Sequence, residues 1–248
     1  AVNGHDFVFH LASNPDIAQS MMSTDLDLKQ GAIATYNVLE AMRKRGVKKI
    51  AFTSGSGIYG DVGARPTPEH FGPLKPISMY GASKLACEGM ISAFCHMFDM
   101  QAWIFRMANI VGGRQTHGVI LDFISKLKKN PRALEILGDG KQTKSYLHVE
   151  DCVEGIFLAI DKSNERVNIF NLATSDCLDV TSIAKIVIEE MGLKDVALKY
   201  TGASRGWKGD VPQVRLPIEK IGNLGWVPRL RSEEAVRKAA NAILQSIE

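Results

Sequence analysis

The chain has 248 residues, of which 45% are hydrophobic and 23% charged, and its formal net charge is +3. This length allows a large buried core in one domain or two. The charge is too small to indicate a nucleic-acid partner, and no apolar run reaches the ~18 residues of a membrane span, so we expect neither partner. Four cysteines without close spacing argue against a metal site and against a disulfide framework, and they fit the reducing cytoplasm.

Strands and helices alternate along the first half of the chain. The predicted elements, in chain order, are a strand at 6–12, a helix at about 25–45 that stops at Gly46, a strand at 49–54, a helix at 80–98 and a strand at 101–106. This alternation predicts a parallel α/β sheet. Ligands bind such sheets at the carboxyl ends of the strands, so residues 10–13, 53–57 and 107–109 should line one crevice.

The second half of the chain is less regular. Helices are predicted at 119–129, 149–161, 181–191 and 232–247, with short strands at 134–137 and 168–172. A loop rich in Gly, Arg and Trp at 201–217 lies between the last two helices.

Tyr80 and Lys84 are the strongest chemical signal in the sequence. Residues four apart share one face of a helix, so the lysine ammonium should lie close to the phenol. A nearby cation favours phenolate, and we expect it to lower the tyrosine pKa from ~10 toward neutrality. A phenol of that kind can act as a general base toward an alcohol from which hydride is removed.

The wider motif pattern resembles the extended short-chain dehydrogenase/reductase family, and most closely its archaeal-type UDP-glucose 4-epimerases. The resemblance runs through nearly the whole chain. Its motifs are HLAS at 10–13, YNVLEAM at 36–42, SGIYGD at 56–61, YGASK at 80–84, RMANIVG at 106–112, LGDGKQTKSYLHVEDC at 137–152, NIFNLA at 168–173 and RGWKGD at 205–210.

The resemblance implies a Rossmann-like, doubly wound parallel sheet with a smaller α/β substrate-binding domain. Residues 1–112, joined again by about 140–175, would form the NAD-binding domain. Residues 113–139 and 176–248 would bind the nucleotide sugar. The family opens with a further strand, a glycine-rich loop and a helix that hold the NAD pyrophosphate, roughly sixty residues that are not seen before Ala1. We therefore interpret the chain as a truncated form of a longer protein, the alternative being a native short protein.

By resemblance, NAD is the cofactor and a UDP-sugar the substrate, UDP-glucose and UDP-galactose being interconverted through a 4-keto intermediate. Tyr80 would be the general base, and Lys84 would lower its pKa and bind the nicotinamide ribose. The implied cofactor-binding residues are Leu11, Ala12, Ser13, Thr53, Tyr80, Lys84 and Ala108.

The family's third catalytic group is a Ser or Thr hydroxyl, and its position here is Gly55. Ser54 and Ser56 flank the glycine. We favour Ser56 as the replacement, while the alternative is that both serines only satisfy loop backbone groups. Gly31 is a second departure, since the family usually has Asn there. Glycine at that position should loosen the helix by ~1 kcal/mol and removes a polar contact.

The resemblance also implies a set of substrate contacts. Lys144 replaces a phosphate-binding Arg, and Arg205 and Asp210 match a pair that binds phosphate and ribose, although their spacing is longer by two. The implied substrate-binding residues are Asn109, Val119, Ile120, Glu135, Leu137, Lys144, Arg205 and Asp210. Val119 and Ile120 would contribute backbone groups near the phosphates, and Glu135 and Leu137 backbone groups beside the uracil.

Several alternatives remain open. Dehydratases and decarboxylating synthases of this family need an acid where Ser56 and Gly57 stand, so those activities are disfavoured. The chain could instead be a non-catalytic NAD or nucleotide-sugar binder, or an epimerase of another UDP-sugar. The family pairs two helices across a dimer axis. Apolar Leu85, Met90, Ile91, Phe94 and Met97 permit such a homodimer, but core burial explains them equally well.

Overall fold

The structure is a computed structural model that describes residues 2–14, 16–207 and 209–247. The strands are β1 (Phe7–His10), β2 (Lys49–Gly55), β3 (Gln101–Met107), β4 (Asn109–Val111), β5 (Ala133–Ile136), β6 (Thr143–Lys144), β7 (Tyr146–His148), β8 (Val167–Leu172), β9 (Leu178–Asp179) and β10 (Ala197–Tyr200). The α-helices are α1 (Ala34–Arg45), α2 (Met79–Phe98), α3 (Val119–Lys129), α4 (Val149–Lys162), α5 (Val180–Glu190), α6 (Glu219–Gly222) and α7 (Ser232–Ser246).

The main sheet has four parallel strands in the order β1-β2-β3-β8. Its register sets Phe7 opposite Lys49, and Lys49 opposite Gln101. The central strands are continuous apolar runs because helices cover both faces of the sheet. The predicted α/β class with a parallel sheet is therefore confirmed.

Separate hydrophobic clusters form on the two faces of this sheet. On one face, Leu39 of α1 and Ile91 of α2 are completely buried against strand residues such as Ile104. On the other face, α4 and Trp226 pack against Trp103 and the neighbouring aromatic side chains. The sheet is thereby fixed between helices, and its carboxyl edge is left for ligands.

A third cluster gathers α3, α5, α7 and β5. Two-stranded sheets border it: β5 pairs with β10 in parallel, β4 pairs with β7 in parallel, and β6 pairs with β9 antiparallel. The pairing of β4 with β7 carries the chain from the main sheet toward this cluster. Among the described residues, no helix is both long and apolar enough to cross a bilayer.

The predicted helix at 25–45 is the main departure from the sequence-based elements. Its first part is a π-helical turn, Leu28–Ile33, with Gly31 buried within it, and regular α-helix begins only at Ala34. The predicted stop is correct, since Gly46 follows α1 in the left-handed region at φ 73°. Strands β4, β6, β7, β9 and β10 were not predicted, because two to four residues carry no usable periodicity.

Candidate active site

The first turn of α2 is held in a fixed position beside the end of β2. Ser78 caps the helix, its hydroxyl accepting a hydrogen bond from the Gly81 amide at 3.1 Å. A Cβ on Gly81 would lie only 2.5 Å from the carbonyl oxygen of Gly57, in the 3-10 helix Ser56–Tyr59 that follows β2. This close backbone contact brings Tyr80, on the same turn, to the carboxyl edge of the sheet.

Tyr80 points its phenol at Gly55. A Cβ on Gly55 would lie 3.6 Å from the phenol oxygen. Burial raises the pKa of Tyr80 to about 12, and this effect outweighs a smaller lowering by the Ser13 side chain. The predicted movement of the Tyr80 pKa toward neutrality is therefore wrong, because the loss of water around the phenol disfavours the phenolate.

Lys84 lies one turn further along α2 and is 4% exposed. Its Nζ donates a 2.6 Å hydrogen bond to the Thr53 carbonyl oxygen and sits 4.8 Å from the Phe52 ring centroid. The same nitrogen is 5.5 Å from the centroid of the Tyr80 ring. Burial lowers the pKa of Lys84 to about 8. The two side chains therefore lie close together, as predicted. The phenol is neutral, however, and the ammonium has lost its contact with water.

The hydroxyl candidates flanking Gly55 differ in their surroundings. Ser54 is buried, and its Oγ has no hydrogen-bond partner among the described residues. Ser56 is half-buried at the start of the 3-10 helix.

A buried polar network beneath these groups was missed from the sequence. His10 Nε2 lies 2.9 Å from Thr35 Oγ1, which donates to the Cys87 sulfur at 3.2 Å. Burial, followed by the charge of Lys84, lowers the pKa of His10. Asp27 is also buried and accepts a hydrogen bond from Asn14 Nδ2 at 3.0 Å. The available signal was a polar residue close to the carboxyl end of a strand, since Asn14 follows the HLAS motif.

The remaining cofactor candidates border the same edge. Leu11 is 58% exposed and Ala12 is exposed at the end of β1. Thr53 offers the carbonyl that binds Lys84. Ala108 is half-buried against the cluster that contains Ile58 and Tyr59. These residues and the Tyr80/Lys84 turn therefore surround one region, as expected from the strand ends.

Three of the predicted substrate residues meet in an ion-pair cluster. Lys144 Nζ lies 2.7 Å from Asp210 Oδ1, and Arg205 Nη1 donates to the Asp210 carbonyl oxygen at 3.3 Å. Arg205 Nη2 also lies 2.6 Å from a carboxylate oxygen of Asp61, just after the 3-10 helix. Asp61 was missed as a partner, although it ends the SGIYGD motif.

The other predicted substrate residues are distributed around this cluster. Leu137 borders the loop, since a Cβ on Gly206 would lie 3.8 Å from its Cβ. Glu135 is exposed, and its carbonyl oxygen accepts a hydrogen bond from Lys126. Asn109 is exposed, and its amide donates to the Ser145 carbonyl.

Val119 and Ile120 begin α3, whose N-cap Gly118 makes no side-chain cap. The first amides of that helix therefore have no acceptor within it. The Ile120 side chain itself lies in the core, so only its backbone could reach a ligand. In the described ranges, no group of three or more His, Cys, Asp or Glu side chains is placed to bind a metal ion.

The four-stranded parallel sheet with helices on both faces is an α/β fold of the Rossmann type. The sequence profile of the NAD dependent epimerase/dehydratase family matches residues 1–173. The chain belongs to this family.

Two relatives carry specific names. A Methanocaldococcus jannaschii protein provisionally named UDP-glucose 4-epimerase is 31% identical over 95% of this chain and 76% of its own length. The UDP-glucose 4-epimerase of Mycolicibacterium smegmatis is 27% identical over 94% of this chain and 74% of its own length.

Solved structures of two epimerases also align over 98% of this chain. A crystal structure of a UDP-galactose 4-epimerase aligns with a TM-score of 0.89 and 38% identity, covering 98% of this chain and 79% of that one. The Thermotoga maritima UDP-glucose 4-epimerase, solved with UDP-glucose, aligns with a TM-score of 0.86 and 30% identity, covering 98% and 78%.

Proposed function

We propose that this chain is an NAD-dependent isomerase that interconverts UDP-glucose and UDP-galactose through a 4-keto sugar, with Tyr80 as general base. The observation that carries the proposal is the Tyr80/Lys84 turn of α2, held at the carboxyl edge of the sheet with the phenol facing Gly55. The relatives named UDP-glucose 4-epimerase support this class of sugar nucleotide.

The described residues fit the nicotinamide end of NAD. Lys84 presents a buried ammonium whose hydrogen bond goes to a backbone carbonyl, so it can turn toward a ribose hydroxyl. Leu11 and Ala12 are exposed at the neighbouring strand end and can line the ring. When bound, NAD supplies the hydride acceptor and donor for the sugar C4 and, in its oxidised form, a positively charged ring.

Tyr80 handles the proton of the reaction. In the free protein its phenol is neutral, because burial raises its pKa to about 12. Positive charge beside the phenol lowers that pKa, and Lys84 Nζ is 5.5 Å from the ring centroid. The phenolate oxygen then accepts the C4 hydroxyl proton as the ketone forms, and the phenol returns a proton when the ketone is reduced from its other face.

The ion-pair cluster is the proposed diphosphate and ribose site. Lys144 and Arg205 can each exchange a carboxylate for a phosphate oxygen, and Asp210 can accept ribose hydroxyls. The uncapped first turn of α3, at Val119 and Ile120, is a second source of phosphate contacts. Asn109, Glu135 and Leu137 complete the proposed set.

The test of the function is Tyr80→Phe, which removes the phenol oxygen and keeps the ring. We expect epimerisation of UDP-galactose, followed by a coupled assay with NAD supplied, to fall at least ~10²-fold, the usual contribution of a general base. Tyr36→Phe is the matched control, since Tyr36 lies 48% exposed on α1. Activity of the Tyr80 variant within a few-fold of the parent would remove Tyr80 from the mechanism.

A non-catalytic binder is the second candidate, and Gly55 is the observation that favours it. The space beside the phenol oxygen, where the family carries a hydroxyl, holds no side chain. If the parent protein binds UDP-galactose in calorimetry but does not convert it, this candidate replaces the first. Turnover of a different UDP-sugar in the same assay would keep the epimerase chemistry and change the substrate.

The organisation and assembly are also proposals. We propose that 1–112 with about 140–175 hold NAD and that 113–139 with 176–248 hold the nucleotide sugar, supported by the separate α3/α5/α7 cluster. A homodimer through α1 and α2 is supported by Met97 of α2, which is 70% exposed, whereas Ile91 of α2 is fully buried in the core. A cytoplasmic location is supported by the four cysteines, which are all free.

A further inference from the structure

A buried network of three hydroxyl groups lies between the main sheet and the ion-pair cluster. Ser145 stands between β6 and β7, Thr174 follows β8, and Ser232 begins α7. These three residues are at most 3% exposed. Thr174 Oγ1 lies 2.7 Å from Ser145 Oγ and 2.7 Å from Ser232 Oγ, so the three side chains are joined by hydrogen bonds. None of these residues was among the predicted site residues.

The hydrogen bonds of this hydroxyl network form one consistent set. Thr174 Oγ1 donates to the Asp176 carbonyl oxygen at 3.1 Å, so its lone pairs can accept a proton from each serine. Ser145 Oγ accepts from the Thr174 amide at 2.8 Å. Ser232 Oγ accepts from the Tyr146 amide at 3.1 Å. Each hydroxyl therefore both donates and accepts, and removing one leaves buried groups without their partner.

The hydroxyl network holds the backbone that carries Lys144. Ser145 follows Lys144 directly, and its carbonyl oxygen accepts from the Asn109 amide at 3.2 Å. The next amide along the chain, that of Tyr146, donates to Ser232. Two proposed substrate residues, Lys144 and Asn109, are therefore fixed by the same short segment, and that segment is fixed to the start of α7.

The same network connects the ion-pair cluster to the main sheet. Thr174 stands two residues beyond β8, which is a strand of that sheet. At the other end of the connection, Lys144 forms its ion pair with Asp210 at 2.7 Å. A path of contacts from the carboxyl edge of the sheet to this ion pair thus runs through Thr174 and Ser145. The position of the Lys144 ammonium relative to the sheet depends on these hydroxyl groups.

Resting on the proposed function, we propose that the hydroxyl network positions the site for the sugar nucleotide, with Thr174 and Ser232 as positioning residues. The network places Lys144 and Asn109 where they receive the diphosphate. Its hydroxyl groups are buried, so they act through the backbone beside Lys144 and do not touch the ligand. Their loss should weaken binding of the ligand and leave the proton chemistry of Tyr80, on α2, in place.

Thr174→Val and Thr174→Ser form the matched pair for the test. Valine keeps the shape and removes the hydroxyl, so both serines must turn to carbonyl oxygens 3.4 Å away. Serine keeps the hydroxyl and removes a methyl group. With UDP as the probe in calorimetry, we expect Thr174→Val to raise Kd roughly 10-fold, the lower end of the value of a hydrogen bond to a charged group. Thr174→Ser should stay within about 2-fold of the parent, because the hydroxyl is retained.

Turnover gives a second readout that distinguishes positioning from a loss of fold. In the UDP-galactose assay with NAD supplied, Thr174→Val should raise KM in parallel with Kd and leave kcat near the parental value. Ser232→Ala, which leaves the Tyr146 amide without its acceptor, should act in the same direction. A general loss of folded protein would instead lower the apparent kcat and leave KM unchanged.

Two further variants show whether the effect acts through Lys144. In a Lys144→Met background, Thr174→Val should change the Kd for UDP much less than it does in the parent, since residues acting through one contact are not additive. Ser163→Ala is the control, because its hydroxyl donates to the Ala159 carbonyl at 2.6 Å and accepts from Trp103, near the amino ends of the strands. It should lower the thermal midpoint and leave Kd unchanged.

Three results would each overturn the proposal: equal losses of affinity in Thr174→Val and Thr174→Ser, parental affinity in both, or full additivity with Lys144→Met. A parent that binds UDP but does not convert UDP-galactose would end the proposed reaction, while the affinities would still decide the role of the network. A parent that binds no UDP would overturn both proposals.

Discussion

At the scale of single residues, the site keeps its proton on Tyr80 and a desolvated cation on Lys84. Both side chains are withdrawn from water by the same helix turn, and each pKa moves in the direction that disfavours its charged form. The spacing of the two residues in the sequence predicts that they meet. It does not reveal how much water they lose, because that depends on β1, β2 and the loop after β1.

Lys84→Met should stabilise the fold at neutral pH. The lysine titrates at about 8 in the folded protein and near 10.5 when unfolded, a difference of about 3 kcal/mol. Between those pH values the unfolded chain binds more protons, so the parent gains stability as pH rises from about 8 to about 10.5. Lys84→Met lacks this gain in stability with pH. Its free energy of unfolding should therefore exceed that of the parent most strongly below pH 8, and the difference should shrink toward pH 10.5.

Urea unfolding at pH 7, 9 and 10.5 measures this difference for Lys84→Met. At pH 7 the stability gained by Lys84→Met should be less than the about 3 kcal/mol that the pKa difference gives, because the hydrogen bond from Lys84 to the Thr53 carbonyl is lost as well. Lys49→Met, an exposed lysine on β2, is the control and should show no such trend. A Lys84→Met protein that is less stable than the parent at every pH would contradict the assignment of a costly buried charge.

At the scale of elements, the π-helical turn before α1 explains Gly31. A Cβ on this glycine would collide with the Ser83 hydroxyl, which donates to the Asp27 carbonyl at 2.7 Å. The π-helical turn and α2 therefore pack closely enough that no side chain fits between their backbones at this point. The asparagine that the family resemblance implies at this position would displace Ser83, so the glycine is required by the packing of this chain and does more than loosen a helix.

Gly31→Ala and Gly89→Ala should have opposite effects on stability. The first forces Ser83 away from its acceptor and should cost ~1–2 kcal/mol, the value of a buried hydrogen bond with some strain. The second adds a methyl group where nothing lies within 4 Å on α2, and should gain ~0.5–1 kcal/mol. Chemical denaturation measures both. In a Ser83→Ala background the cost of Gly31→Ala should drop, and an unchanged cost would rule out this collision as its cause.

At the scale of the whole molecule, a buried ion pair joins the sheet, helix α2 and the loop that precedes α2. Nη2 of Arg106, on β3, lies 2.8 Å from Oε2 of Glu88, on α2. Both residues are about 5% exposed. The Arg106 guanidinium also donates to the Tyr59 hydroxyl at 3.1 Å and to the Glu69 carbonyl at 2.8 Å. Each of these polar groups has a partner in Arg106. The position of α2 therefore depends on this arginine.

Arg106→Met should destabilise the fold by ~3–5 kcal/mol, because it leaves the Glu88 carboxylate buried without its partner. The double variant with Glu88→Leu should recover much of that loss. Thermal and urea unfolding give both values. Arg231→Met, which breaks an exposed pair with Asp176, is the matched control and should change stability by less than ~1 kcal/mol. A double variant as unstable as Arg106→Met alone would show that another contact carries the effect.

The sequence predicts most of the fold because its signals are local. Apolar strand runs, helix caps and Gly46 each act within a few residues, and the main sheet follows from them. The Tyr80/Lys84 pair is predicted for the same reason. The ion pair of Arg205 with Asp61 and the buried pair of Arg106 with Glu88 join residues far apart in the chain. Only the packed structure decides which side chains fill those positions.

The pairing of Lys144 with Asp210, and of Arg205 with Asp61, would affect selectivity among anions at the proposed diphosphate site. Among the described residues of this cluster both cations are paired, so an incoming anion would have to exchange with a carboxylate already in place. Inorganic phosphate or sulfate would break two ion pairs and gain little else. A ligand that also carries a base and a sugar makes further contacts that offset the exchange. If the proposed site is correct, these internal ion pairs should make the cluster select its ligand by size and composition more than by net charge.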